Sequence, residues 1–242
     1  GEPRTAVLAV FQPAGESPGQ VGGVRARRGA RRVDAVEVTR HAELMDLVDA
    51  MATALLRAAG SGPDELLRRA AAVPHGRFAD WVVVDLNDAG TLRRVVVLGP
   101  GDGKPGTPTQ TSGGGRPGTP AESGAVPGTA AEGAGSLADA VARQDPARCP
   151  LVVEATAAGA TAFHVRPDDA ELFGHDELGA PVLVRAAVTS LLCVPLRTSR
   201  QDPVRGALTL FRTGARRPFE MAEAGAVDRM SRHVALALGA LP

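Results

Sequence analysis

Two stretches carry the fold: FADWVVVDLNDAGTLRRVVVLG (78–99) and SLLCVPLRTSRQDPVRGALTLFRTGARRPFEMAEAGAVDRMSRHVALAL (190–238). In the first, residues 79–86 are apolar at almost every position, as a strand buried on both faces requires. Asn87-Asp88-Ala89-Gly90 is turn chemistry, and 91–98 returns as the partner strand. The second stretch gives a strand at 189–196, a loop, a strand at 205–212, and a helix opened by Pro218 or Phe219. Along that helix Ala222, Ala226, Met230, Val234, Ala237 and Leu241 mark one face, which Val227 and Leu238 widen. Two hairpins that share one antiparallel sheet, closed by an amphipathic helix, predict an α/β domain of the α+β kind.

Working upstream, residues 34–58 form a helix rich in Ala, Leu, Met and Glu, with Asp34 to cap its first turn and Gly60 to end it. Leu44, Val48, Met51, Leu55 and Ala58 recur at spacings of 4, 3, 4 and 3, an a/d seam. Such a stripe either packs on its own domain or pairs with a second copy; in the second case Leu44, Val48, Met51 and Leu55 are the dimer interface. A second helix starts at Ser61-Gly62-Pro63-Asp64, shows Leu66, Leu67, Ala70 and Val73 on its apolar side, and stops at Pro74 and Gly76. Residues 12–32, Gly- and Pro-rich and ending in an arginine cluster, are expected to be a mobile linker, and 6–11 a short strand. Between 99 and 135 all periodicity is lost, and a composition of Gly, Pro, Thr and Ala predicts a disordered insertion. Order returns with a short helix at 136–144, a short strand at 150–154 and a helical turn or two at 167–177. The expected organisation is a strand remnant and linker (1–33), a signalling or dimerisation helix (34–60) and one domain (61–242) interrupted by the insertion.

Composition excludes several function classes. Acidic and basic residues balance at 27 each, so no global field draws the chain to nucleic acid or anionic lipid. Tyr is absent and aromatics are 3%, which argues against stacking platforms for single strands. No apolar run approaches the ~20 residues needed to cross a bilayer. Cys149 and Cys193 are too few for a disulfide framework or a structural zinc site, and a cytoplasmic, reducing compartment is expected. No nucleophile elbow, P-loop or zinc motif is present, and the one Gly-Lys pair is followed by Pro105. No catalytic residue, metal ligand or cofactor is assigned. Asp80 and Asp85 fall on opposite faces of their strand by odd spacing, and Asp168, Asp169, Asp176 and Glu177 suit a helix start without chemistry.

FADWVVVDL after a helix ending in Val-Pro, then SLLCVPLR, RGALTLFR and RPFEMAEAGAVDRMSRHVALAL, resembles a GAF domain over about residues 61–240. More narrowly it is similar to the GAF domains of actinobacterial sensors that carry SpoIIE-type (PPM family) serine/threonine phosphatase domains. The resemblance implies a central antiparallel sheet, terminal helices together on one face, a pocket on the other, and a preceding helix that joins a dimeric bundle. It implies a regulatory domain of a larger signalling protein, not an enzyme, since the metal-binding aspartates of the phosphatase are missing. Departures narrow the ligand: the Asn-Lys-Phe-Asp-Glu set of cyclic-nucleotide GAF domains is absent, and no His adjoins Cys149 as bilin attachment needs. Methionine-sulfoxide-reducing GAF enzymes use several pocket cysteines, and Cys149 and Cys193 are the only candidates here.

With a small molecule seated between the sheet and segment 155–188, Trp81, Val83, Phe163, His164, Leu172, Phe173, Leu183, Leu192 and Phe211 are the expected lining. His164 and His175 are loop histidines near that site; bonding to backbone or solvent competes with axial haem ligation for each. A pocket filled by its own side chains, making the domain a structural dimerisation module, is the alternative, and a thiol-based reductase a third.

Overall fold

The computed structural model describes residues 23–100 and 136–241, with side chains from residue 37 onward. The expected strand at 6–11 and, from residue 101 on, the insertion expected at 99–135 lie outside the described residues. The chain divides into two compact units, 1–42 and 43–242. Helix α1 (Gly23–Arg57) belongs to both. It begins well before residue 34, so the linker expected at 12–32 is helical from Gly23 onward; Val, Arg and Ala there are adequate helix formers.

Within 43–242, α2 (Pro63–Ala72) starts with Pro63, where no N–H is lost, and Asp64 and Glu65 complement its dipole. It buries Leu66, Leu67, Ala70 and Ala71. Strands β1 (Trp81–Asp88) and β2 (Thr91–Leu98) form the first hairpin. Ala89 and Gly90 carry φ of +49° and +92°, the backbone of a two-residue turn that matches strand twist. The Asn87 side chain accepts the Gly90 N–H at 2.9 Å. A bulge between Val84 and Asp85 shifts the register, so that Asp85 faces Arg94.

After 135 the chain forms α3 (Leu137–Arg143), opened by a Ser136–Asp139 capping box, and a 3₁₀ turn at Pro146–Arg148. Next comes α4 (Pro150–Ala158), which replaces the strand expected at 150–154. Leu-Val-Val favours a strand locally, but Pro150 sits at the first helical position, Ala155, Ala157 and Ala158 extend the helix, and Gly159 ends it with φ +62°. Strand β3 (Ala162–Val165) follows, so Phe163 and His164 lie on an edge strand and not in a loop. A 3₁₀ turn (Ala170–Phe173) and short α5 (Val182–Arg185) lead into β4 (Val188–Pro195), β5 (Gly206–Thr213) and α6 (Met221–Gly239).

The sheet has order β2-β1-β5-β4-β3, antiparallel throughout. Its central strand β5 is buried along nearly its whole length. Gly206 opens it against β1, where a Cβ would overlap the Asp85 carbonyl.

Each sheet face has its own core. The first packs the C-terminal part of α1, α2 and α6 against Val82, Val84, Leu192, Val194, Leu208 and Leu210. Leu44, Val48, Met51, Leu55 and Ala58 all lie in it, at 0–7% exposure. The stripe read from their spacing is therefore covered by its own domain, and these side chains are not free to form a seam with a second copy. The second core lies under α3, α4, α5 and the 3₁₀ turns, and contains Trp81, Val83, Phe173, Leu183, Leu191, Cys193 and Phe211.

Candidate functional site

The second face is where a pocket was expected, and it is filled. Trp81, Val83, Phe173, Leu183 and Phe211 are 0–4% exposed, and Leu172 packs partly buried against them. Phe173 and Phe211 meet edge to face at 4.8 Å, a favourable aromatic geometry. Two residues expected in the lining belong elsewhere: Leu192 lies in the first core and Phe163 packs against it. Strand alternation explains this, because each pairs with the other across β3 and β4, one residue out of phase with Leu191 and Cys193 of the second core. His164 pairs with Leu191 and is partly buried. None of the nine lines any of the three cavities described below.

At the centre of the filled face is an ion pair that the sequence reading passed over. Asp85 is fully buried and the Arg94 side chain is 3% exposed. Arg94 donates through Nε and Nη2 to the two Asp85 carboxylate oxygens at 2.8 and 3.2 Å. Nη1 donates to Gln144 Oε1 at 2.6 Å and the Val141 carbonyl at 2.9 Å, and Nη2 reaches Cys149 Sγ at 3.6 Å. Gln144 Nε2 then donates to the carbonyls of Phe173 (2.7 Å) and His175 (3.0 Å), and the guanidinium lies 5.0 Å from the Phe173 ring centre. One buried cation thus ties the sheet to α3 and to the turn carrying Phe173. Burial works against the charge on Arg94, but Asp85's charge and hydrogen bonds outweigh it and hold the guanidinium above its ordinary pKa. Burial likewise pushes the Asp85 carboxyl up, and Arg94 offsets this only in part. The available signal was Asp85 itself, a charge inside a strand apolar on both faces, which demands a partner.

A second buried pair joins the sheet to α6. Arg212 donates to both Glu223 oxygens at 2.9 and 3.1 Å and to the Phe78 carbonyl at 3.0 Å. Its guanidinium lies over both the Phe78 and Phe219 rings, 5.0 and 4.1 Å from their centres. Glu223 also accepts the Glu220 N–H in the capping box that starts α6.

The thiols are poor nucleophiles. Burial raises Cys149 to about 11, with Arg94 pulling only partly the other way. Burial raises Cys193 to about 12, although it accepts a hydrogen bond from Thr209 at 3.3 Å. Both are fully buried, whereas thiol chemistry needs an accessible thiolate. Among the described residues no group of three His, Cys, Asp or Glu is arranged to hold a metal ion, and no helix is long and apolar enough to cross a membrane.

Three of the cavities among the described residues lie outside this face. An apolar groove of about 430 Å³ runs between α1 and α6, lined by Ala52, Leu56, His233, Leu236 and Leu241 among others. Leu56 and Leu236 there are 77% and 58% exposed, and His233 Nδ1 is buried without a hydrogen-bond partner. A polar cleft of about 770 Å³ opens beside α4 and α6. A third, of about 350 Å³, lies between the β4–β5 loop and the end of α6.

The sheet order and the terminal helices on one face give the chain a GAF-like fold. No protein-family model matches the sequence, and no curated protein matches it. Solved structures do. The chain is similar to free methionine-R-sulfoxide reductase from Neisseria meningitidis, with 16% identity over 83% of this chain and 90% of that one, at a TM-score of 0.50. It is also similar to a GAF domain from A. aeolicus in an inactive state (10% identity, 81% and 95% coverage, TM-score 0.49). A third is the GAF domain/HD domain protein from Geobacter sulfurreducens (16% identity, 74% and 94% coverage, TM-score 0.47). Likeness at such identities speaks for the fold alone.

Proposed function

We propose that this chain is a regulatory GAF-fold domain that passes a change in its sheet to an attached output domain through α1 and α6. The observation that carries the reading is the pair Phe211–Arg212 on β5. Phe211 packs in the second core against Phe173, and the next residue, Arg212, points the other way and grips Glu223 at the start of α6. Adjacent strand residues face opposite sides, so a displacement at Phe173 reaches α6 in one residue. The sheet-side contacts of α6, Met230, Val234 and Leu238, share a core with Met51 and Leu55 of α1, which makes the two helices one element that a signal can bias. The output domain proposed from the sequence resemblance is a SpoIIE-type phosphatase.

A homodimer is proposed to form on the residues of the terminal helices that the core leaves open, Leu56 and Leu236, in place of the buried Leu44–Leu55 stripe. A small-molecule ligand on the second face has to part Trp81, Phe173 and Phe211. The density of that packing favours the second reading, a dimerising structural module without a ligand there.

Native mass spectrometry of the purified chain, under gentle and then denaturing conditions, tests both. A dimer weakened by Leu56→Asp or Leu236→Asp is expected. A monomer would end the proposed pairing. Added mass lost on denaturation would favour ligand sensing, and its absence the structural module.

A further inference from the structure

We propose that the polar cleft beside α4 and α6 is a binding site for a phosphorylated small molecule. The cleft holds about 770 Å³ and is lined by Arg197, Thr198, Ser199 and Arg200 of the β4–β5 loop, by Asp228 and Arg232 of α6, and by the turn at 158–161. It shares no residue with the Arg94 network or with the nine residues expected to line a pocket. The lining carries three guanidinium groups and one carboxylate, and a second carboxylate, Asp202, is held against Thr198 on the same loop, so the cleft stays net positive. Asp228 is already paired with Arg232 one turn along the helix.

Arg197 and Arg200 make no hydrogen bond or ion pair with any described residue. Arg197 is nonetheless partly buried, and its guanidinium rests directly over Gly159, where a Cβ would overlap it. The left-handed turn that ends α4 therefore leaves bare backbone for an arginine that has no partner among the described residues. An unpaired, positioned guanidinium is half of a bidentate anion contact. The Thr198 hydroxyl donates to the Asp202 carboxylate and the Ser199 hydroxyl also bonds it, so the donors left to the cleft are the guanidinium groups.

A phosphate monoester carries about −1.5 to −2 charge and three acceptor oxygens at neutral pH, which suits the positive sign of the cleft and the guanidinium donors of Arg197 and Arg200. The recess and the lack of large apolar side chains in its lining favour a small molecule over a lipid surface, which requires an apolar face to insert. A phosphate held between Arg197 and Arg232 would tie the β4–β5 loop to α6. The site goes beyond the regulatory reading and stands whether or not α6 relays a signal.

The test is a titration of the ¹⁵N-labelled full chain with inorganic phosphate, balanced by chloride at constant ionic strength. Saturable shifts are expected at the amides of 159–161 and 197–200. The Arg197→Gln/Arg200→Gln double variant should weaken the apparent affinity at least about tenfold, equivalent to ~1.4 kcal/mol, with the remaining amides unmoved. Shifts that grow linearly and match those in chloride overturn the site, as do saturable shifts that survive the double variant. A chain that sediments with phosphatidic-acid vesicles but does not saturate with inorganic phosphate also overturns it, and assigns the cleft to a membrane.

Discussion

The two faces of the sheet solve the same burial problem by different means. The helical face is apolar throughout its centre, with Met51, Leu67, Met230 and Val234 each at 0–2% exposure, and its stability comes from area removed from water. The opposite face carries short helices and turns that supply less apolar surface, and it organises itself around the Arg94–Asp85 pair and the carbonyls that Gln144 reaches. An apolar core tolerates repacking, whereas a buried charge network is intolerant of losing one member. The Arg94–Asp85 pair makes the second face sensitive to a local change, and it lies one strand residue from the Arg212–Glu223 clamp, the buried pair of the helical face.

The contrast is sharpest at Arg94. Arg94→Ala leaves Asp85 buried without its cation, and the expected loss is about 3–5 kcal/mol, read from denaturant melts. The Arg94→Met/Asp85→Leu double change should recover most of it. A single-variant cost below about 1 kcal/mol would mean that the network does not organise this face.

On the helical face, Met230→Ala removes a fully buried side chain and should cost about 2–5 kcal/mol. Met221→Ala, at an exposed position of the same helix, should stay within about 0.5 kcal/mol. Equal costs at the two positions would break the assignment of inner and outer helix surfaces.

A smaller effect belongs to the turn that closes the second face. Asp176 accepts from Arg185 and from the backbone N–H groups of Ala180 and Leu178. The Arg185 hydrogen bond, then the Ala180 one, hold its carboxyl below the usual carboxylate range. A carboxylate with a lowered folded pKa contributes stability above its unfolded value of about 3.9, and loses it as pH falls through the folded value. Asp176→Asn should therefore flatten the acid limb of the stability profile below about pH 4, measured by urea melts across that range. An unchanged acid limb would show that the turn contributes nothing there.

The smallest change expected is at Ala89, whose φ of +49° is costly for a residue with a Cβ. Ala89→Gly should raise stability by about 0.5 kcal/mol, the relief of left-handed strain less the added freedom of the unfolded chain. A loss in thermal melts would indicate a different turn.

Much of the fold is legible along the chain. The hairpin at 78–99, the strands near 189–196 and 205–212 and the closing helix stand where their hydrophobic periods put them, and β2 covers the residues expected of it. Segment 150–154 is misread because its β-branched run argues for a strand while Pro150 and the alanines behind it argue for a helix. The candidate pocket is half legible: Trp81, Val83, Phe173, Leu183 and Phe211 do share a face, but Phe163 and Leu192 do not, since one residue of register sends a side chain through the sheet.

Periodicity is a local property, so it reports which side of an element is apolar, and for this chain it was enough to specify strands β1, β2, β4 and β5, their hairpins and the inward stripe on α1, but not the edge strand β3. It carries no information about what meets that stripe, and packing on α2, α6 and the sheet took Leu44 to Leu55 away from any second copy. Nor does it pair Arg94 with Asp85 across a bulge, with Gln144 beyond the insertion, or Arg212 with Glu223. Those contacts depend on distances between elements far apart in sequence, and burying a charge makes its partner a requirement of the folded state that no single segment records.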